Sequence, residues 1–117
     1  MRDNSLERLS SKLPPDYSIS ADVLEIVRDI VEAETKKTLK FLQAISHPTR
    51  LRILRALGIN ELCVCVFVNL MKIKYSNLSY HLKILKDAGL VEFRKERNFL
   101  IYRLTNLGRK VLKDIES

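Results

Sequence analysis

Two cysteines stand two residues apart in the run Glu61-Leu-Cys-Val-Cys65, and the chain has no others. Thiolates are the protein ligands that soft metals and metalloids prefer, so Cys63 and Cys65 are candidate ligands of such an ion. Two other interpretations stay open. Cysteine is among the most buried residue types and this run is apolar, so both side chains could simply pack. Oxidation to a strained, regulatory disulfide is the third interpretation.

The charges of the chain are concentrated in its middle. The net charge is +7, and residues 48–103 carry 11 Lys and Arg against 4 Asp and Glu, whereas residues 1–47 carry 7 against 8. A basic centre between near-neutral ends is expected of a nucleic-acid surface, although a merely solvated basic face would give the same counts.

The N-terminal part of the chain gives no sign of a membrane segment. Residues 1–19 are polar and contain Pro14-Pro15, so a loose arm is expected there, followed by one domain over residues 20–117. Residues 1–5 lack the apolar region of a signal peptide, and no apolar stretch approaches the roughly 20 residues that span a bilayer. We therefore expect a cytoplasmic protein without a membrane partner, whose cysteines form no structural disulfide.

Two helices are predicted before the cysteines. Ser20 is a good N-cap for the first, whose apolar stripe runs on to Ile45 and allows for a break near Glu34-Thr35. Proline in the first helical position starts the second helix at His47-Pro48, and Gly58 is its expected stop.

A helix-turn-helix is predicted around and after the cysteines. Asn60 would cap a short third helix that carries both cysteines and ends near Leu70-Met71. A fourth helix would run from Tyr75 to Asp87, stopped by the Ala88-Gly89 pair. Two short helices joined by such a turn are typical of a DNA-binding unit.

A hairpin and a last helix complete the predicted fold. The β-rich runs 90–94 and 99–104 form a wing, and Thr105 can cap a final amphipathic helix. The fold class is therefore mainly α with a small β hairpin: a winged helix-turn-helix with about five helices.

The fourth helix and the wing supply the candidate DNA contacts. A helical wheel groups Leu78, Leu82 and Leu85 into a buried stripe. Short polar side chains opposite that stripe can bond base edges, and cations suit phosphates. An ordinary solvated surface is the alternative. The predicted contacts are Tyr75, Ser76, Asn77, Ser79, Tyr80 and Lys83 on the helix and Arg94, Lys95 and Arg97 on the wing.

The two histidines are not favoured as metal ligands. His81 falls at the border between the leucine stripe and the surface, so packing or a phosphate contact is the preferred interpretation. His47 precedes Pro48, where it can cap the second helix. Arg50, like the other arginines of that helix, is assigned to structure or to distant phosphates.

Four motifs in order resemble the ArsR/SmtB family of winged-helix repressors. The match covers roughly Thr38 to Leu112. The resemblance implies a homodimer, formed through the first and last helices, that binds double-stranded operator DNA and leaves it when an inducer binds. The motifs are Ser46-His-Pro-Thr-Arg-Leu-Arg-Ile-Leu54, the cysteine run, Leu78-Ser-Tyr-His-Leu-Lys-Ile-Leu-Lys-Asp-Ala-Gly-Leu-Val91 and Ile101-Tyr-Arg-Leu104.

The resemblance also bears on the inducer. Arsenic-sensing relatives commonly have a third cysteine three residues after the pair, where this chain has Val68. Cadmium sensors draw cysteines from the N-terminal arm, and zinc sensors use histidine on the last helix, yet residues 1–47 lack cysteine and residues 105–117 lack histidine. Two sulfurs with an exogenous ligand suit trivalent arsenic or antimony better than tetrahedral zinc. Cadmium or another soft metal is the alternative, and no resident cofactor is expected.

A regular helix creates a difficulty for this site. Residues two apart on a helix point about 200° from each other, so one ion could not reach both sulfurs if Asn60 were the cap. Binding would require the first turn to unwind, which would shift the fourth helix and release DNA.

Other function classes remain as alternatives. The cysteines could sense oxidation or be inert, and the domain could be a nonspecific nucleic-acid or protein interaction module. An enzyme is not expected, because the chain has no Gly-rich phosphate loop or Ser/His/Asp signature and only 3 Gly and 2 His.

Overall fold

The computed structural model of the protein describes residues 8, 9 and 11–116, and the chain divides into two units, residues 1–35 and residues 36–117. The parts of the predicted arm and domain that fall on residues 1–7, 10 and 117 lie outside the described residues. In the rest of the arm, residues 11–20 form turns and irregular backbone, with the Tyr17 N–H donating to the Pro14 carbonyl at 3.1 Å.

Helix α1 (Ala21–Glu32) belongs to the first unit. Its predicted cap is confirmed, because Ser20 Oγ accepts the Val23 N–H at 3.2 Å. The backbone leaves the helix in an extended conformation at Ala33, which confirms the break near Glu34-Thr35. One face of α1 is an exposed apolar stripe of Val23, Ile26, Val27, Ile30 and Val31.

The second unit is a winged helix-turn-helix, as predicted. Its elements are α2 (Lys36–Ile45), α3 (Pro48–Ile59), β1 (Leu62–Cys63), α4 (Val64–Met71), α5 (Tyr75–Asp87), β2 (Val91–Glu96), β3 (Phe99–Leu104) and α6 (Asn106–Glu116). The helices α4 and α5 form the helix-turn-helix, and β2 and β3 form the wing. The three strands make one antiparallel sheet in the order β1-β3-β2.

Local signals set several helix ends as expected. His47 Nδ1 accepts the Thr49 N–H at 3.1 Å and so caps α3. Thr105 Oγ1 caps α6 by accepting the Gly108 N–H at 2.9 Å. After α5, Gly89 adopts a φ of +79°, a left-handed conformation that glycine adopts without strain and that ends helices commonly.

The core of the second unit holds α5 against α3 and the sheet. The predicted stripe of Leu78, Leu82 and Leu85 is at most 2% exposed. It packs in one apolar cluster with residues of α3 and of the wing strands, among them Ile53 and Leu104. Burial of this stripe fixes which face of α5 remains exposed to solvent.

The prediction that Asn60 caps the cysteine-bearing helix is wrong. Asn60 instead ends α3, with its backbone N–H donating to the Ala56 carbonyl at 3.4 Å. Leu62 and Cys63 form β1, in register with Tyr102 and Ile101 of β3. Pairing with a strand that is distant in sequence outweighs the local capping preference, so α4 begins only at Val64.

The prediction that Gly58 stops α3 is also wrong, since the helix continues to Ile59. A Cβ at position 58 would lie 2.6 Å from Cδ2 of Leu112 on α6. The glycine therefore serves the close approach of two helices rather than the end of one.

Candidate nucleic-acid interface and cysteine site

Helix α5 presents a polar face opposite its buried leucines. Tyr75 and Tyr80 are 58% and 57% exposed. Lys83 Nζ lies 3.0 Å from the Asp87 carboxylate, an exposed pair that a DNA phosphate can replace. The structure brings all the predicted α5 contacts to the exposed part of the helix, including Ser76, Asn77 and Ser79.

The three predicted cations of the wing have different surroundings. Lys95 and Arg97 are exposed at the end of the hairpin, where Arg97 takes a φ of +57°. Arg94 instead binds Glu61, because its two terminal nitrogens donate to the two carboxylate oxygens at 2.7 Å each. One of them also donates to Glu96 at 3.3 Å. Lys95 and Arg97 are therefore the stronger candidates for phosphate contacts, and Arg94 joins the wing to the segment before the cysteines.

The Glu61–Arg94 pair is electrostatically matched. Hydrogen bonds from Arg94 lower the pKa of Glu61, and desolvation opposes this shift. The same bonds raise the pKa of Arg94. Because both side chains are solvent-exposed, the pair adds little to folding. Its importance is geometric, since it connects the residue before β1 with β2, across the middle strand of the sheet.

A buried arginine ties α5 to the two preceding helices. Arg50 Nε donates to the Ala44 carbonyl at 2.7 Å and Nη2 donates to the Gln43 carbonyl at 3.1 Å, both in the last turn of α2. Its Nη1 lies 3.0 Å from Nδ1 of His81. Because arginine can only donate, Nδ1 accepts and a neutral His81 carries its proton on Nε2. These bonds give Arg50 and His81 a structural role, which is one of the two roles predicted for each residue.

The free energy of unfolding is expected to fall in mild acid because His81 titrates. Burial lowers the pKa of His81, and the charges of His47 and Arg50 lower it further. The unfolded chain takes up this proton near the ordinary histidine pKa of about 6.5, whereas the folded chain does so only at lower pH. Stability therefore falls as the pH drops below about 6.5, because the unfolded state binds more protons there.

Urea unfolding at pH 7.5 and pH 5.5 measures this effect. The wild type should lose more stability between the two pH values than the His81→Gln variant, whose side chain does not titrate. Glu61 does not interfere, since its lowered pKa acts in a more acidic range. Equal losses in the two proteins would contradict the prediction.

The cysteine pair lies at the junction of β1 and α4. Cys63 is half-buried and extended at the N-cap position, Cys65 is exposed in the first turn, and both are free thiols. Their Sγ atoms are 2.7 Å apart. The expectation that a helix would separate the two sulfurs is wrong, because Cys63 precedes the helix. No unwinding is needed for one ion to reach both.

The sulfur separation lies between those of two chemical states. Two thiolates on one ion, with bonds of about 2.3 Å at a tetrahedral angle, are about 3.8 Å apart. The sulfurs of a disulfide are about 2.05 Å apart. Contact with the Cys63 thiol raises the pKa of Cys65, with desolvation as the second cause. The raised pKa favours the protonated Cys65 thiol, whose proton a thiophilic ligand must displace.

The described residues add no further ligand of the usual kinds. Among them, no group of three or more His, Cys, Asp and Glu side chains could hold a metal ion. An open cleft of about 460 Å³ lies beside the thiols, between α4, the start of α5 and the turn of the wing. Val68 and Phe99 are part of its wall.

These features define a DNA-binding protein of the winged helix-turn-helix class with a cysteine site beside its wing. Residues 47–92 match the family model described as "Bacterial regulatory protein, arsR family". The chain is 33% identical over 88 residues to the transcriptional repressor SmtB homolog of Synechocystis, covering 71% of this chain and 67% of that protein. It is 37% identical over 71 residues to the arsenical resistance operon repressor of Staphylococcus xylosus, covering 61% and 68%.

The solved structure of HlyU from Vibrio cholerae is similar as well. It superposes with a TM-score of 0.64 and 31% identity over 73% of this chain and 94% of that one. The chain belongs to the ArsR/SmtB family of transcriptional regulators. It is a regulator and not an enzyme. In the part of the chain that the structure describes, no helix is long and apolar enough to cross a bilayer.

Proposed function

We propose that the protein is a repressor that leaves its operator when a thiophilic metalloid of the arsenite or antimonite type binds Cys63 and Cys65. One observation carries the proposal: the two Sγ atoms lie 2.7 Å apart where β1 of the wing sheet meets α4 of the helix-turn-helix. Two relatives, a transcriptional repressor and an arsenical resistance operon repressor, support it. Cadmium or another soft metal is the alternative inducer.

This arrangement suggests how inducer binding weakens DNA binding. Accommodating an ion on both sulfurs would displace Cys63, Cys65 or both from their positions in the free protein. Cys63 is paired with Ile101 of β3, and Cys65 lies in the first turn of α4, so either displacement reaches a DNA-reading element. The inducer then favours the conformation with low operator affinity, and by linkage operator DNA weakens inducer binding by the same factor.

A homodimer through the first and last helices is part of the proposal. Helix α1 exposes its stripe of five apolar side chains, and α6 exposes Leu107 and Ile115 at 45% and 50%. Apolar helix faces of this kind favour association. A twofold dimer would place its two α5 helices in successive major grooves of a palindromic operator. Such a repressor would act in the cytoplasm, where thiols stay reduced.

The decisive experiment follows operator DNA bound to the protein during titration with arsenite, antimonite and cadmium. Arsenite or antimonite should release DNA from the wild type at micromolar concentration. The Cys63→Ser/Cys65→Ser variant should bind operator equally well and need at least a hundredfold more ligand. Cys65→Ser alone tests whether both sulfurs are needed. If they are, this variant should respond like the double variant, and if one thiol suffices, it should respond like the wild type. Release of DNA from the double variant at wild-type concentrations would contradict the proposal.

A comparison of affinities for operator and random DNA, without ligand, tests the interaction-module alternative. A specific repressor should bind its operator at least a thousandfold more tightly than random DNA at physiological salt. Equal affinity for both, with a steep salt dependence, would instead indicate a nonspecific module.

Redox sensing is the second candidate function, because the sulfurs lie within 2.7 Å of each other. Hydrogen peroxide could oxidise the pair, with two thiols losing two protons and two electrons to form a disulfide and the peroxide giving two waters. Release of DNA by peroxide, reversed by dithiothreitol and absent in the double serine variant, would favour this function. Release by arsenite under reducing conditions would favour the metalloid.

A further inference from the structure

The cleft beside the cysteines is shaped to hold more than an inorganic ion. Its volume is about 460 Å³, within the usual range of small-molecule sites. Val68, Phe99 and Leu100 supply apolar wall, and Tyr75 and Asn98 stand among the polar lining residues. A bare arsenite or antimonite would occupy only the corner at the sulfurs and leave this wall in contact with water.

The chain itself supplies two of the three bonds that trivalent arsenic forms. It has two cysteines in total, and the described residues contain no cluster that adds a third ligand. Val68, one helical turn after Cys65, is an apolar residue of the cleft wall. The third bond must therefore be carried by the ligand, and the surface that it faces suits an organic group better than a hydroxyl.

We infer that the inducer site takes a monosubstituted trivalent arsenical, R–As(OH)₂, with arsenic on Cys63 and Cys65 and the organic group R in the cleft. This inference rests on the proposed function and names its ligand class. Two S–H protons combine with the two hydroxyl groups to leave as water, two As–S bonds replace two As–O bonds, and the As–C bond stays intact. Arsenic remains trivalent, so no oxidant or reductant is required.

Occupancy of the cleft would strengthen the proposed release mechanism. The wall includes Tyr75, the first residue of α5, and the wing turn at Asn98 and Phe99. An R group would press on both DNA-reading elements, whereas an ion on the sulfurs would reach them only through the backbone. A larger R should therefore bind more tightly and also release DNA more completely.

The test compares arsenite, methylarsonous acid and phenylarsonous acid as displacers of bound operator DNA. The methyl and phenyl compounds each offer two positions for sulfur and differ only in the apolar group. For the wild type, phenylarsonous acid should release half of the DNA at a concentration about tenfold or more below that of methylarsonous acid, because the phenyl ring buries more apolar surface.

Phe99→Ala removes apolar wall from an exposed position, and Phe93→Ala is the matched control on the same hairpin. Phe99 is 55% exposed and lines the cleft, whereas Phe93 is 40% exposed and contacts Tyr102 instead. The methyl-to-phenyl ratio of half-release concentrations should fall at least threefold in Phe99→Ala and stay unchanged in Phe93→Ala. The intrinsic reactivity of each arsenical towards thiols is the same for all three proteins, so it cancels when their ratios are compared. Operator binding without ligand confirms that each variant is folded.

Two outcomes distinguish the failure of this inference from the failure of the proposed function. If arsenite, methyl and phenyl compounds release DNA at similar concentrations in all three proteins, the cleft does not bind R and the inference is overturned, while metalloid sensing stands. If no arsenical releases DNA from the wild type, the proposed inducer function itself fails, and the inference fails with it.

Discussion

Gly108→Ala is expected to destabilise the protein by about 3 kcal/mol or more, because overpacking against backbone cannot be relieved by a rotamer change. Gly108 lies in the first turn of α6, and a Cβ there would overlap the carbonyl oxygen of Leu90. That carbonyl already accepts the Thr105 N–H at 3.0 Å. Alanine gains only about 1 kcal/mol over glycine in helix propensity, so the steric cost of the new Cβ exceeds this gain.

Gly58→Ala is the matched control for this prediction. Its new Cβ would meet the end of the Leu112 side chain rather than backbone. A leucine can move to another rotamer, and alanine favours the interior of α3, so the net change should stay within about 1 kcal/mol of the wild type. Urea unfolding of both variants, at one protein concentration because of dimerisation, measures the difference. Similar losses for the two would show that the approach of α6 to Leu90 is looser than the structure has it.

Arg50→Ala is expected to cost about 2–4 kcal/mol of folding free energy, since it removes the partner of one buried and two part-buried polar groups. The last carbonyls of a helix have no partner within the helix, and Arg50 serves those of Gln43 and Ala44. Its positive charge also suits the negative end of α2. The variant further leaves His81 Nδ1 without its donor, so the orientation of α5 and the operator affinity should suffer as well.

Arg52→Ala provides the control. It removes the same charge from the same helix, but Arg52 is exposed. It should change stability by less than about 0.5 kcal/mol, as surface substitutions usually do. Arg50→Lys should remain well below the wild type, since a single ammonium group cannot reproduce the planar fork that reaches three acceptors. If Arg50→Ala and Arg52→Ala unfold at the same urea concentration, the tie between α2, α3 and α5 is not the stabilising element.

Features set by neighbours in sequence were predictable. The Ser20 and His47 caps and the stripe of Leu78, Leu82 and Leu85 each depend on residues within one or two helical turns. Their physical causes, an acceptor for unpaired N–H groups and a 3.6-residue repeat, are visible in any window of the chain. The same holds for the wing, whose two strands are joined by a short turn.

Features set by distant pairing were not predictable. The two-residue strand β1 has no periodicity of its own and exists because β3 offers hydrogen bonds to it. Arg50 and His81 are 31 positions apart, and Glu61 and Arg94 are 33 apart, so no local signal joins either pair. The error at Asn60 followed from the same cause. It moved the helix start by a few residues and thereby changed the geometry inferred for both cysteines.

The short strand β1 has a consequence for how such a regulator can diverge. Cys63 belongs to the same hydrogen-bonded sheet as the wing hairpin, and Glu61 is bound to that hairpin by Arg94. Under the proposed function, a substitution that changes ligand preference in this segment would also reposition the wing, and a change in the wing would alter the sulfur pair. Natural selection would then act on inducer choice and operator affinity as one inherited trait, and new sensors of this design should arise by coordinated replacements in both places.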